Sequence, residues 1–287
     1  MSETLPAPLD APIRAAQHQL ILNIVRRAAR SEILPRYLNL GTEDISEKTG
    51  VDDLVTAADK AAEAMITRAL RISFPEALVV GEEAAAVDPA LLGKIADAPL
   101  AFIIDPVDGT WNFAHGLGIF GVILAATQFG TPVFGLIYDP LADDWAMATA
   151  EGPARLETGK GRSRALEVAA PKDLADVTGF VPLQLFAAPK RAQLAEVTSR
   201  LARTGPLGCS AHEYRLIAQG KADFVLTPSL NPWDHAAGAL ICQRAGAHVA
   251  MLDGSPYSAK LHAGHLLVAP DHMTWNKLQK EFRFLLD

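Results

Sequence analysis

Phe102-Ile-Ile-Asp-Pro-Val-Asp-Gly-Thr-Trp-Asn-Phe113 is the stretch on which the fold turns. Its apolar opening reads as a short buried strand that delivers Asp105 to its carboxyl end. Proline has no N–H to give a ladder, so Pro106 is expected to stop the strand there. Asp108-Gly109-Thr110 reads as a turn able to start a helix. Two carboxylates can then converge beside backbone N–H groups, a place where a hard cation and a phosphate can sit together. Taken alone, D-x-x-D-G is more simply a strand, a proline break and a turn, so the rest of the chain has to decide.

Upstream, apolar residues recur at helical spacing over residues 13–34, which predicts an amphipathic helix stopped by Pro35. Residues 39–53 are polar and acidic with two glycines, and read as a loop or flap. Thr56-Ala-Ala-Asp59 fits Thr56-x-x-Asp59, the pattern of a capping box opening a second helix to about residue 72. Residues 78–80 form a short buried strand ending in Gly81-Glu82-Glu83. Two adjacent carboxylates repel unless solvent or a cation relieves them. Downstream, residues 120–156 alternate apolar runs with turns, as an antiparallel meander does. Strands are expected over 166–169 and 177–181. The last hundred residues alternate: helix 190–203, a strand near Leu207, helix 211–219, strand 224–227, helix 234–245, strand 266–269, and a helix from Asp271. Asp234 has the ordinary reading of a helix N-cap. Four junctions each bearing an acid are nonetheless an uncommon coincidence, and alternating helices and sheets favour a layered α/β or α+β fold.

Composition narrows the classes. The chain has 287 residues, 49% hydrophobic and 21% charged, with a net charge of −7. These values suit a full apolar core and argue against nucleic acid or an anionic membrane as the main partner. Cys209 and Cys242 are too few and too far apart for a disulfide framework, which points to a reducing, cytoplasmic setting. No apolar run approaches the ~20 residues of a membrane span, and residues 1–12 read as a flexible tail without signal-peptide character. Gly152…Gly159-Lys160-Gly161 has the wrong spacing for a P-loop. His262 and His265 lack a partner pair for zinc. His115, His212 and His235 lie near the acidic motifs without reading as ligands, and Ser210 has no nucleophile elbow.

Asp53-Leu-Val-Thr-Ala-Ala-Asp59, Gly81-Glu-Glu83, Asp105-Pro-Val-Asp-Gly-Thr110 with Asn112-Phe113, and Trp233-Asp-His-Ala-Ala-Gly238 together resemble the inositol monophosphatase family of Mg²⁺-dependent, Li⁺-sensitive phosphatases. They stand in that family's order and spacing. The resemblance implies an α/β (α+β) layered αβαβα sandwich of the inositol monophosphatase/fructose-1,6-bisphosphatase type, built as a homodimer. It would be one two-lobed phosphatase domain over residues 13–287, with the metal motifs in a lobe over about 13–160 and an α/β lobe over about 161–287. It further implies two Mg²⁺, the first held by Glu82, Asp105 and the carbonyl of Val107, the second by Asp105, Asp108 and Asp234, with Glu82 at hand for a third. Thr110, paired with Asp59, matches the group that orients and deprotonates the attacking water, and Glu82 shares that catalytic surround. The N–H groups of Gly109 and Thr110 would face the phosphate.

The departures fall on substrate recognition. Where inositol-specific members carry an acid seven positions before the metal-binding aspartate of the Trp-Asp motif, this chain has Thr227. The pocket-lining Gly-Thr/Ser-Ala segment reads here as Gly208-Cys-Ser210, followed by Glu213, which stands either as a replacement carboxylate or as a surface residue. The expected substrate is a small phosphorylated metabolite, inositol 1-phosphate or a similar polyol or sugar phosphate. Histidinol phosphate, fructose 1,6-bisphosphate and 3′(2′),5′-bisphosphate nucleotides are alternatives on the same scaffold, and a phosphate-binding regulatory protein is the non-enzyme alternative. Asp59, Glu82, Asp105, Asp108, Thr110 and Asp234 are all present, which favours the enzyme.

Overall fold

The computed structural model describes residues 13–50 and 53–287; the tail expected over 1–12 lies outside the described residues. Helix α1 (Ala15–Ala28) buries Ile21, Leu22, Val25 and Ala28 and runs on as a π-helical turn to Ile33. The segment expected as a loop is instead a hairpin, β1 (Ile45–Gly50) against β2 (Asp53–Thr56), antiparallel. Its polar sequence lacks the apolar alternation by which strands are recognised. Helix α2 (Ala57–Ser73) starts at the expected capping box: Thr56 Oγ1 accepts from Ala58 N, and Asp59 Oδ2 accepts from Thr56 N at 2.8 Å. Strand β3 (Leu78–Gly81) feeds α3 (Glu82–Val87), a helix the sequence pattern did not announce, and α4 (Ala90–Lys94) follows.

Strand β4 (Ala101–Asp108) overrules the expectation that Pro106 ends it. Asp105 pairs with Ile123 and Asp108 with Gly121, so Pro106 and Val107 together face the single residue Val122. That is a β-bulge, which accommodates a proline within a paired strand. Its effect on side-chain direction decides the site. Phe102 and Ile104 point into one apolar layer and Ile103 into the other; Val107 joins the first. Regular alternation would send Asp108 there too, opposite Asp105. With one extra residue between them, both carboxylates leave the same face.

After α5 (Thr110–Ala114) the expected meander follows as β5 (Gly121–Gln128), β6 (Thr131–Asp139), β7 (Asp144–Thr149), β8 (Arg155–Thr158) and β9 (Ser163–Ala165). The strand expected at 166–169 is therefore displaced to β9. With β3 and β4 they form a seven-stranded sheet in chain order, parallel only between β3 and β4. The second sheet holds β10 (Thr178–Phe180), β11 (Arg203–Thr204), β12 (Phe224–Thr227), β13 (His248–Met251) and β14 (Leu266–Ala269), ordered β11-β10-β12-β14-β13. Residue Leu207, expected near a strand, lies past β11, and β13 had no expectation. The remaining helices are α6 (Ala188–Thr198), α7 (Ser210–Ala218), α8 (Pro232–Arg244) and α9 (His272–Phe282).

Three apolar clusters define the layers. Helices α1 and α2 cover one face of the large sheet through Ile21, Val25, Ala62 and Ile66 against Phe102, Leu124 and Leu136. Its other face packs through Ile103, Ile123 and Ile137 on α7 and α8, which also meet Val225 and Val268 of the small sheet. The far face of the small sheet is closed by α6 and α9 through Leu194, Val197, Trp275 and Leu278. The result is the αβαβα sandwich that the family resemblance implies, with α7 and α8 buried between two sheets.

Candidate metal centre

Three of the predicted acids meet where the large sheet faces the middle helices. Oxygen atoms of Asp105, Asp108 and Asp234 lie within 4.8 Å of one another. Asp105, 2% exposed, comes from β4, and its Oδ1 accepts from Val107 N across the bulge at 3.1 Å. Asp234 comes from the first turn of α8, where Asn231 Nδ2 donates to its Oδ2 at 3.2 Å.

Asp108 is tied to the start of α7. Its Oδ2 accepts from the Cys209 thiol at 3.0 Å and from Ala211 N, and its Oδ1 accepts from Ser210 N at 3.2 Å. A side chain of one sheet thus does for α7 what an N-cap residue does locally. Sequence reasoning missed Cys209, which was visible only as the middle residue of Gly208-Cys-Ser210. Glu82 opens α3 directly after Gly81, which pairs in parallel with Ile104. Glu82 therefore enters beside Asp105, one register position on.

The electrostatics follow from that crowding. Burial, and then the charges of Glu82, Asp108, Asp234 and Asp59, hold the Asp105 carboxyl well above the usual carboxylate range. Burial lifts Asp234 in the same way, with Asp108 and Glu82 adding to it. Asp108 is raised by burial against the opposing pull of its donors on α7. Like-charged oxygen donors gathered out of water are the donor set of a hard divalent cation. The residues fit such an ion.

Thr110 stands beside this cluster at the start of α5. Its Oγ1 lies 3.2 Å from Asp59 Oδ1 and 2.9 Å from the carbonyl oxygen of Val107. Gly109 before it is left-handed at φ 86°, and a Cβ there would come 2.7 Å from the carbonyl oxygen of Ile119. Only glycine carries the chain from Asp108 to Thr110 by this route.

The predicted substrate-side residues are placed less uniformly. Gly208 and Ser210 sit at the entrance to α7. Glu213 is buried at 7% exposure, and its Oε1 accepts from Leu207 N at 2.7 Å. It is no surface residue. Burial pushes its carboxyl up to about 8. Thr227, at the end of β12, turns its hydroxyl to the Ser229 carbonyl at 3.3 Å. Asn112 was quoted only as part of a motif, yet its Nδ2 spans to the carbonyls of Ile119, Leu207 and Gly208. It holds the loop before α7 against α5. Among the histidines, His115 turns to the Trp111 carbonyl and His212 to that of Phe120, while His235 is buried on the Tyr214 hydroxyl.

Comparison with known proteins gives the same frame. The profile of the inositol monophosphatase family matches residues 17–284. The "Nus factor SuhB" of Haemophilus influenzae is 32% identical over 268 residues, covering 91% of this chain and 95% of that protein. The "Fructose-1,6-bisphosphatase/inositol-1-monophosphatase" of Thermotoga maritima is 30% identical over 217 residues, covering 76% of this chain and 78% of that protein. The solved structure of an IMPase from Thermotoga maritima superposes with a TM-score of 0.78 at 24% identity, over 94% of this chain and 98% of the other.

Proposed function

The chain belongs to the inositol monophosphatase family, and from that membership we propose that it is a Mg²⁺-dependent phosphomonoesterase of small phosphorylated metabolites. The observation that carries the reading is the convergence of Asp105, Asp108 and Asp234 beside the Thr110–Asp59 pair. On this reading Glu82, Asp105 and the Val107 carbonyl hold one Mg²⁺, and Asp105, Asp108 and Asp234 hold a second, with Glu82 available to a third. Bound Mg²⁺ supplies charge neutralisation for a phosphate dianion and lowers the pKa of water.

The chain's own groups do the rest. Asp59 Oδ2 is occupied by the amide and hydroxyl of Thr56, which leaves Oδ1 directed at Thr110. A water resting on Thr110 Oγ1 can pass its proton through that hydroxyl to Asp59 as its oxygen attacks phosphorus in line. The P–O bond to the alcohol then breaks, giving inorganic phosphate and the free alcohol. The positive end of α5 and the N–H groups of Gly109 and Thr110 face the phosphate oxygens. The leading substrates are inositol 1-phosphate and related polyol or sugar phosphates. Gly208, Ser210, Glu213 and Thr227 border the alcohol side, and the enzyme works as a cytoplasmic homodimer.

Relatives named as Nus factors give a second reading, a binding role on the same scaffold. The complete acid set favours catalysis. A panel of inositol 1-phosphate, glycerol 2-phosphate, fructose 1,6-bisphosphate, histidinol phosphate and a 3′,5′-bisphosphate nucleotide, assayed with Mg²⁺ and with chelator, tests it. Metal-dependent phosphate release from one or more is expected. No release from any ester, by protein that binds divalent metal, would favour the binding role.

A further inference from the structure

Where β3 becomes α3 the chain has a glycine in the place of a capping side chain, and the missing oxygens come from another helix. Glu83 N and Ala84 N donate to Glu63 Oε2 and Oε1 at 2.8 and 2.9 Å. These are the second and third residues of α3, the donors an N-cap side chain ordinarily serves. Glu63 belongs to α2 and is 7% exposed. A Cβ on Gly81 would fall 2.1 Å from its carboxyl carbon. The backbone at Gly81 has φ −100°, open to any residue. What the glycine supplies is room for the carboxylate of Glu63.

We propose that Glu63 is a positioning residue for Glu82, fixing the first turn of α3 so that the Glu82 carboxylate meets the Asp105 cluster. The inference rests on the metal-phosphatase reading above. Glu82 is the first residue of α3, so the direction of that turn sets where its side chain goes. Its charge is felt by both Asp105 and Asp234. Glu63 is also one turn along from Asp59, on the same face of α2. One helix therefore directs the Thr110 hydroxyl through Asp59 and the Glu82 carboxylate through Glu63. The glycine of Gly81-Glu-Glu83 and the glutamate of α2 are two halves of one joint.

Calorimetric titration of Mn²⁺ into the full-length protein, alongside Mg²⁺ activation curves, tests this. Glu63→Gln keeps one acceptor oxygen and sets an amide N–H against the other backbone donor. It is expected to raise the Mn²⁺ Kd and the Mg²⁺ concentration for half-activation roughly five- to twentyfold, the range of one or two lost hydrogen bonds. Most of the lost rate should return at saturating Mg²⁺. In a Glu82→Gln background the same change should add almost nothing to Kd, because both act through one group. An unchanged Kd in Glu63→Gln, or a full additional loss in the Glu82→Gln background, overturns the assignment. Wild-type protein that binds no Mn²⁺ overturns the metal reading itself. If Glu63→Gln does not fold, Gly81→Ala presses on the same carboxylate from the other side, and wild-type Mn²⁺ affinity there would equally defeat the proposal.

Discussion

Asp59 uses its two oxygens for different purposes. One closes the capping box with Thr56, and the other faces Thr110. Asp59→Asn should therefore separate a structural loss from a chemical one. Loss of a cap costs about 1 kcal/mol, whereas loss of a general base costs roughly 10²–10⁴ in rate. Thermal unfolding and kcat measured on the same preparation check this; a rate loss below tenfold would remove Asp59 from the chemistry. Thr227 bears on selectivity. With its hydroxyl spent on Ser229 and Glu213 spent on Leu207, neither presents a free anion to a polyol. Thr227→Glu should raise kcat/KM for inositol 1-phosphate relative to glycerol 2-phosphate by on the order of tenfold to a hundredfold, the worth of a charged hydrogen bond. An unchanged ratio would place the selectivity elsewhere.

Helix α7 shows how an element can be legible while its attachments are not. Its apolar spacing predicted the helix, yet Asp108 and Glu213, which anchor its start and the loop before it, are distant or reversed contacts that no periodicity reveals. The same holds for Glu63 on α2, whose partner segment lies twenty residues away. The capping box at Thr56 was readable because both of its halves are local. Glu213 also gives α7 a pH signature. Its carboxyl lies near 8 when folded against a usual 4.5, so burial favours the protonated form. That contribution is full below about 4.5 and is lost as pH rises through about 8, by on the order of a few kcal/mol. Glu213→Gln should therefore gain melting temperature on wild type between pH 5 and pH 9. Parallel melting curves across that range would refute this assignment of the carboxyl.

At the scale of the whole molecule, the sandwich follows from two sheets sharing the helices between them. The apolar runs of the sequence announced a layered α/β or α+β fold, and the order of the layers was implied by the family resemblance. Less visible was that the acids of the site sit on the face of the large sheet that this shared layer covers. Divalent metal should therefore stabilise the entire fold. At a hundredfold excess over Kd the gain is about 2.7 kcal/mol, and melting curves with and without Mn²⁺ should show one transition moving upward. A shift confined to part of the signal, or no shift, would mean that the ion does not report on the common core. The bulge at Pro106–Val107 carries the last consequence. Asp105 and Asp108 are of opposite parity in a regular strand, and the single surplus residue restores them to the same parity. Were Pro106 and Val107 drawn into regular alternation, one carboxylate would turn into the layer occupied by Phe102 and Ile104. Deleting either residue would remove the bulge yet leave both acids two positions apart on one face. The number of residues between the two acids and the irregularity of β4 are thus a single specification, and neither can change without the other.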